Sequence, residues 1–194
     1  MEKWVGKIAV VTGASAGIGA AIVSDFAKAG IHVVGLARRV EKIEELIKSL
    51  GLTNGKVYAY KCDVSDQESI NTAFKWIEEK FGKIHILVNN AGVVKNVGIL
   101  ETGDEAGKKL NETINTNFTG LIHCTRAGFQ LIKKSNDYGF IININSIAGQ
   151  SVPFIDGMKF NVYPATKHAV RAASEVLRQE LISMKNNKIR ISVI

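Results

Sequence analysis

The sequence predicts an α/β fold, a doubly wound parallel sheet with helices on both faces. Apolar runs typical of buried strands alternate along the chain with stretches whose apolar residues recur every three or four positions, as on one face of a helix. The connections are short, and strands separated by helices in this way form parallel sheets that are covered on both sides. Right-handed crossovers then favour the strand order 3-2-1-4-5-6 of a Rossmann domain.

The predicted strands lie at 8–11, 31–37, 56–62, 84–88, 140–145 and 188–194. Helical periodicity predicts a helix after the first strand, helices over 40–50, 104–133 and 163–184, and one between the third and fourth strands. For that last helix Ser65 and Glu68 have the spacing of a capping box, and Gly82 ends it. Neither a linker nor an internal repeat interrupts the pattern, so we expect residues 1–194 to form one domain.

Composition excludes several classes of protein. The chain of 194 residues is 46% apolar, which suits a globular domain, and its apolar runs are too short to span a membrane. The opening Met-Glu-Lys-Trp leaves no room for a signal peptide before the first strand. Cys62 and Cys124 are isolated in sequence, which indicates buried thiols in a reducing compartment, so we expect a cytoplasmic protein. The four histidines form no metal-ligand pattern, and we assign no metal.

A glycine-rich segment at 12–19, Thr-Gly-Ala-Ser-Ala-Gly-Ile-Gly, joins the first strand to the first helix. Its glycines let the backbone come close to a ligand, and the free N–H groups and dipole of the helix favour a phosphate. The glycine spacing is G-x-x-x-G-x-G rather than the usual G-x-G-x-x-G, and a tight turn that only needs glycine is the alternative. The predicted cofactor-binding residues of this segment are Gly13, Ser15, Ala16, Gly17, Ile18 and Gly19.

Arg38 and Arg39 follow the second strand, where an acidic residue for a ribose 2′-hydroxyl is expected in NAD-binding domains. Two guanidinium groups without that carboxylate suit a 2′-phosphate, which favours NADP(H) over NAD(H). The alternative is a solvated pair that opens a helix, where positive charge opposes the dipole. The net charge of +7 is moderate and has no long basic tract or interleaved aromatics, which argues against nucleic-acid binding.

The third and fourth strands end in residues that suit an adenine and a ribose. An acceptor at Asp63 has the position to bind the adenine amino group, or it serves only as a helix-entry residue. The Asn-Asn-Ala-Gly segment at 89–92 has small residues that let the backbone pass close to a ribose and nicotinamide, although it is also ordinary turn chemistry. The predicted cofactor contacts here are Asp63, Val64, Asn90, Ala91 and Gly92.

Tyr163 and Lys167 are four residues apart at a predicted helix start, so their side chains share one face. Pro164 suits the first turn and places Tyr163 at the N-terminus. The helix dipole and a nearby ammonium both favour the ionised phenol, which can then give or take a proton near neutrality. The alternative is a surface pair without contact.

Ser146 and Asn117 are the remaining candidates. Ser146 ends the fifth strand and has the position either to bind the same substrate oxygen or to cap a turn. Asn117 lies within the apolar stripe of the long helix, where an amide must find partners. It either bonds only to backbone or holds a water between Lys167 and solvent.

In this order along the whole chain, these residues resemble the short-chain dehydrogenase/reductase family. The resemblance implies that Tyr163 is the general acid or base, and that Lys167 binds the nicotinamide ribose and favours the tyrosinate. It further implies that Ser146 orients the substrate carbonyl and that Asn117 carries a proton relay. Dimers or tetramers built from the 104–133 and Tyr163 helices are implied as well. Members continue past the sixth strand, so we expect this sequence to be a truncated form.

Three stretches resemble the NADP-dependent, farnesol dehydrogenase-like branch, whose relatives include broad carbonyl and keto-steroid reductases. They are the opening Met-Glu-Lys-Trp, the Val-Val-Gly-Leu-Ala-Arg-Arg end of the second strand and the Ile-Ile-Asn-Ile-Asn-Ser stretch of the fifth. The segment 149–162 carries apolar residues that suit one wall of a pocket for a lipophilic alcohol or ketone, namely Val152, Pro153, Phe154, Ile155, Met158 and Phe160. Core packing of the segment is the competing explanation. The expected activity is an NADP(H)-dependent alcohol dehydrogenase or carbonyl reductase, and the alternative is a non-catalytic dinucleotide-binding module.

Overall fold

A six-stranded, fully parallel sheet in the order β3-β2-β1-β4-β5-β6 organises the chain in a computed structural model, which describes residues 2–51 and 53–194. This confirms the predicted sheet and strand order. Met1, the first residue of the opening stretch, lies outside the described residues. The strands are β1 (Ile8–Thr12), β2 (His32–Ala37), β3 (Val57–Lys61), β4 (Ile86–Asn89), β5 (Gly139–Asn143) and β6 (Ile189–Val193). The helices are α1 (Gly17–Lys28), α2 (Val40–Leu50), α3 (Gln67–Phe81), α4 (Asp104–Ile114), α5 (Gly120–Ser135) and α6 (Tyr163–Ser183).

Helices cover both faces of the sheet, which is why the central strands are almost continuously apolar. The core therefore divides into two clusters, one on each face. Alternate residues of β1 take part in different clusters, with Val10 in one and Ala9 and Val11 in the other. Burial also raises the pKa of the Cys62 thiol to about 11, and it raises that of Cys124 above its ordinary value.

Helix α3 shows one correct and one wrong prediction about its ends. Gly82 follows its last residue in the left-handed conformation, at φ 71°, as predicted. The capping box on Ser65 is wrong, because the helix begins later and its N-cap is Asp66, whose side chain accepts from the Glu68 amide. The Ser65 amide and hydroxyl instead donate to the carboxylate of Asp63, at 2.9 and 2.7 Å.

The long helix predicted over 104–133 is interrupted by a π-helical turn at Asn115–Thr119, which separates α4 from α5. Gly120, the residue after this turn, donates its amide to the carbonyl of Asn115, five residues back. A side chain at Gly120 would place its Cβ 2.2 Å from the carbonyl oxygen of Val64, so only glycine allows this close approach. This close approach to Val64 is a tertiary contact that helical periodicity does not show.

The topology fixes where a ligand can bind. Both β2 and β4 pair with β1, and the connections leave β1 and β4 in opposite directions, which opens a crevice at the carboxyl ends of these strands. Within the described residues, no helix is long and apolar enough to cross a membrane.

Candidate active site

A cleft of about 430 Å³ lies at the carboxyl ends of β1 to β5, and many but not all of the predicted residues line it. Gly17 and Gly19 of the glycine turn do not line it, and neither do Asn117 and Ser146. Most of the predicted cofactor residues line it. The lining residues from the predicted set are Gly13, Ser15, Ala16, Ile18, Arg38, Arg39, Asp63, Val64, Asn90, Ala91, Gly92, Tyr163 and Lys167. Residues 150 positions apart in sequence thus share one cavity.

The glycine turn presents an uncapped helix N-terminus to this cleft. Helix α1 begins at Gly17, and its N-cap, Ala16, has no side chain that bonds the first amides. Gly17 has a φ of 55°, and a Cβ there would meet nothing within 4 Å, so glycine serves the backbone conformation. At Gly19 a Cβ would lie 2.4 Å from the Gly13 carbonyl oxygen, so glycine there serves close packing. Free donors at a positive dipole end are what a diphosphate requires, and the segment therefore fits a dinucleotide.

Asn90 fixes the turn to the neighbouring strand end. Its Nδ2 donates to the carbonyls of Thr12 and Gly13, at 2.9 and 3.2 Å. In return the Thr12 hydroxyl accepts from the amides of Asn90 and Ala91, at 3.0 and 3.1 Å. The carboxyl ends of β1 and β4 are thereby locked together beneath the cleft.

At the other end of the cleft, charged side chains line the cavity. Arg38 and Arg39 are both exposed, and Arg38 Nη1 lies 3.8 Å from Oε1 of Glu112 on α4. The second oxygen of Glu112 lies 3.0 Å from Lys95 Nζ. Asp63 borders the same space, while one of its oxygens accepts both bonds from Ser65. Its carboxylate therefore acts at the entry to α3 and keeps acceptor capacity toward the cleft.

Tyr163 and Lys167 lie on one face of α6, one turn apart at its start, with Lys167 Nζ 5.7 Å from the centre of the Tyr163 ring. Pro164 occupies the first turn of the helix. Lys167 is 5% exposed, and its Nζ donates to the carbonyl of Ile144 at 2.8 Å. Burial lowers the pKa of this amine to about 8. The lysine is therefore held beside the tyrosine by the residue that follows β5.

Ser146 follows Asn145, a residue of the cleft wall, and begins a short 3₁₀ turn. Its Oγ accepts from the Ala148 amide at 3.1 Å, as the capping alternative expects. This bond uses a lone pair and leaves the hydroxyl proton free to donate to a ligand. Capping and substrate binding are thus compatible here.

Asn117 is 1% exposed within the π-helical turn, and its amide bonds in three directions. Its Oδ1 accepts from the Val93 amide at 2.7 Å, and its Nδ2 donates to the Val93 carbonyl at 2.9 Å. Nδ2 also lies 3.3 Å from the hydroxyl of Thr166 on α6. Because both amide protons are used, the side chain can offer a water only the second lone pair of Oδ1.

Other residues of the cleft were missed by the sequence analysis. Val93, Val94 and Thr116 line it, as does Asn145. Val93 and Val94 directly follow the 89–92 segment, and this adjacency was an available signal. Nothing in the local sequence marks Thr116, which lies in the π-helical turn.

Comparison with known proteins identifies the family. A model of the short chain dehydrogenase family matches residues 7–194. The chain belongs to the short chain dehydrogenase family. This confirms the resemblance seen in the sequence, and the relatives confirm the farnesol dehydrogenase-like branch. A farnesol dehydrogenase of Aedes aegypti is 48% identical over 194 residues, which are 100% of this chain and 76% of that protein. Dehydrogenase/reductase SDR family member 11 of Mus musculus is 41% identical over 191 residues, covering 96% of this chain and 71% of that one.

Solved structures of short chain dehydrogenases have the same fold. A metagenomic short-chain oxidoreductase in complex with NADP is 32% identical with a TM-score of 0.84, covering 98% of this chain and 81% of that one. A short chain dehydrogenase/reductase from Burkholderia phymatum in complex with NAD is 26% identical with a TM-score of 0.87, covering 100% of this chain and 66% of that one. As a member of this family, the chain is an oxidoreductase of the dehydrogenase/reductase type.

Proposed function

We propose that this short chain dehydrogenase transfers a hydride between NADP(H) and a lipophilic alcohol or carbonyl compound, with Tyr163 as general acid and base. The observation that carries the proposal is the pairing of Tyr163 with a buried lysine in the same cleft as the uncapped start of α1. A protein that only binds a dinucleotide has no need of a phenol held beside a buried amine. The non-catalytic alternative is therefore less favoured.

The nicotinamide, when bound, supplies the hydride that reduces the carbonyl carbon. Tyr163 donates the proton that the carbonyl oxygen takes up in reduction, and it removes the hydroxyl proton in oxidation. Lys167 places positive charge next to the phenol and so favours its ionised form during proton transfer. The hydroxyl proton of Ser146 is free to bond to the same oxygen, where it stabilises the negative charge that develops.

The preference for NADP(H) rests on Arg38 and Arg39 at the adenosine end of the cleft. Their guanidinium groups can pair with a 2′-phosphate, and no carboxylate stands in this Ala37-Arg38-Arg39 segment to bind a 2′-hydroxyl. Gly13, Asp63, Val64 and the 90–92 segment would hold the rest of the cofactor.

The proposed substrate is lipophilic, an isoprenoid alcohol such as farnesol, a keto-steroid or another apolar carbonyl compound. The segment 93–103 after β4 and the segment 149–162 before α6 meet close to Tyr163, since Val97 and Phe160 form a β-bridge. Large apolar side chains of these segments are exposed, among them Leu100, Val152 and Phe154. The farnesol dehydrogenase relative supports an apolar substrate by its name. The alternative of core packing for 149–162 does not account for Phe154, which is 93% exposed.

For assembly and location, we propose a homodimer or homotetramer in the cytoplasm, with residues 1–194 as one NADP(H)-binding domain. Helix α6 leaves Val176 and Ile182 exposed, which suits contact with another copy. Two free cysteines without a partner suit a reducing compartment.

The test is to follow consumption of NADPH by the purified protein with a panel of lipophilic aldehydes and ketones. We expect turnover in the wild type, and in Tyr163→Phe a loss of kcat of about 10² to 10⁴-fold with NADPH affinity retained. The matched control is Tyr138→Phe, which removes an exposed hydroxyl just before β5, away from the cleft, and should change nothing. Cofactor binding without turnover in the wild type supports the binding-module alternative, and normal rates in Tyr163→Phe contradict the proposed acid.

A further inference from the structure

We infer that Asn161 is a positioning residue that fixes Tyr163 against the wall of the cleft. The inference rests on the proposed function, because the position of the phenol matters only if Tyr163 transfers a proton. It is carried by the backbone conformation of Asn161 and by three hydrogen bonds of its side chain.

The backbone of Asn161 has a conformation that L-residues rarely adopt. Its φ is 45°, and the other non-glycine residues with positive φ in the described part of the chain are Asn136 and Lys185. Asn161 is 9% exposed and lies two residues before Tyr163. Glycine takes this conformation most easily and asparagine next, and asparagine adds a side chain that can form hydrogen bonds.

The carboxamide of Asn161 bonds to three different segments. Its Oδ1 accepts from the Tyr163 amide at 2.9 Å, an amide that also donates to the Phe160 carbonyl at 3.0 Å. Its Nδ2 donates to the Lys95 carbonyl at 2.8 Å and lies 3.3 Å from the Thr113 hydroxyl on α4. The start of α6 is thereby joined to the segment after β4 and to α4.

Asn117 also forms hydrogen bonds to this part of the cleft wall, the segment 93–95. It bonds both polar atoms of the Val93 backbone, while Asn161 bonds the carbonyl of Lys95, two residues further on. Asn117 also reaches Thr166, whose hydroxyl donates to the Tyr163 carbonyl at 2.7 Å. The amide and the carbonyl of Tyr163 are therefore each tied, through one asparagine, to the segment 93–95 of the cleft wall.

This arrangement sets the phenol relative to the cofactor space. Val93 and Val94 line the cleft that Tyr163 and Lys167 also line. A small displacement of reacting groups lowers the rate steeply, by about 10²-fold for 1 Å. Loss of the Asn161 side chain removes one of the two hydrogen bonds of the Tyr163 amide. The bonds of Asn161, to Lys95, Thr113 and Tyr163, do not involve the glycine turn or the arginine pair directly. Loss of the side chain should therefore lower kcat and spare cofactor binding.

The experiment compares the wild type with Asn161→Gly and Asn161→Asp. Glycine keeps the left-handed backbone and removes all side-chain bonds, and aspartate keeps the acceptor for the Tyr163 amide but not the donors. The matched control is Asn136→Gly, which changes the same residue type at φ 51° after α5, on the exposed surface. Kinetics, the Kd of NADPH and amide hydrogen exchange at Tyr163 in the unliganded protein are measured for each.

We expect Asn161→Gly to lower kcat at least about tenfold, to keep the Kd of NADPH within about threefold and to accelerate exchange at Tyr163. Asn161→Asp should also lower kcat, because it turns a carboxylate oxygen toward the Lys95 carbonyl, and Asn136→Gly should match the wild type. Wild-type kcat in Asn161→Gly overturns the inference, as does a parallel loss of kcat and NADPH binding, which marks a merely structural role. Absence of turnover in the wild type instead overturns the proposed function.

Discussion

The Lys167 ammonium lies 5.7 Å from the centre of the Tyr163 ring and donates to the Ile144 carbonyl from a position that is 5% exposed. The lysine is thus held by the end of β5 while it faces a side chain of its own helix. A buried amine of this kind costs stability as long as it is charged. The protein therefore loses some folding stability but gains a positive charge beside the phenol.

The first prediction concerns this cost and its dependence on pH. The pKa of Lys167 is about 8 in the folded protein and 10.5 in its ordinary state. Between these values the unfolded chain holds more protons, so raising the pH stabilises the folded state. Relative to Lys167→Met, the wild type should gain about 2 kcal/mol in free energy of unfolding from pH 7.5 to 9.5. Chemical denaturation at several pH values measures this difference, and a constant difference would contradict a lowered lysine pKa.

The second prediction concerns the choice of cofactor. Removing both guanidinium groups in Arg38→Ala with Arg39→Ala should weaken NADPH at least about tenfold more than NADH, because charged hydrogen bonds of about 1.5 to 3 kcal/mol each go to the 2′-phosphate alone. Fluorescence titration gives both values of Kd. The control, Lys48→Ala with Lys75→Ala, removes equal charge from exposed positions on α2 and α3. Equal losses for NADPH and NADH would refute the 2′-phosphate assignment.

The third prediction follows from the carboxylate near Arg38. Glu112 lies 3.8 Å from the guanidinium, so it competes with a 2′-phosphate for the same charge. Both groups are partly exposed, which limits the interaction to about 0.2 to 1 kcal/mol. Glu112→Gln should therefore tighten NADPH binding about 1.4- to fivefold in low salt and leave NADH unchanged. Glu105→Gln, which breaks an exposed pair with Lys108 on the same helix, is the control. Weaker NADPH binding in Glu112→Gln would mean that the carboxylate positions Arg38 instead.

The fourth prediction tests the packing of the glycine turn. A Cβ on Gly19 would approach the Gly13 carbonyl and the Asn90 amide nitrogen to 2.4 and 2.5 Å, so Gly19→Ala must displace the turn. We expect a loss of about 1 to 3 kcal/mol in stability together with weaker NADPH binding. Gly107→Ala is the same change inside α4 with nothing within 4 Å, and it should stabilise the protein by about 0.5 to 1 kcal/mol. Thermal unfolding with and without NADPH decides the outcome.

The fold was predictable for two reasons. Strands that are buried on both faces consist of consecutive apolar residues, and the right-handedness of the crossovers limits the possible strand orders. The ends of helices were harder to predict than the strands themselves. Ser65 and Asp66 are adjacent polar residues that both suit a helix start, and only the bonds from Ser65 to Asp63 decide between them. The π-helical turn lies where Asn117 and Gly120 contact distant backbone, at Val93 and Val64, and the local sequence does not show these contacts.

Parts of the candidate site could be predicted from the sequence. These are the parts in which one function requires particular residue types a few positions apart, as in the glycine turn and the Tyr163–Lys167 pair. Asn161 carries no comparable signal. Its function arises from partners 48 and 66 positions away in the chain, on α4 and after β4. Such positioning residues become visible only when the tertiary contacts are known.

The two buried thiols offer a way to measure transient local opening of the folded protein. Because Cys62 and Cys124 are both shielded and hard to ionise, a thiol-reactive dye can modify them only while the chain transiently loosens. Cys62 borders the cleft, whereas Cys124 lies within α5. The labelling rate of Cys62 would therefore report local opening at the cleft, and that of Cys124 would report local opening around α5, without any engineered probe.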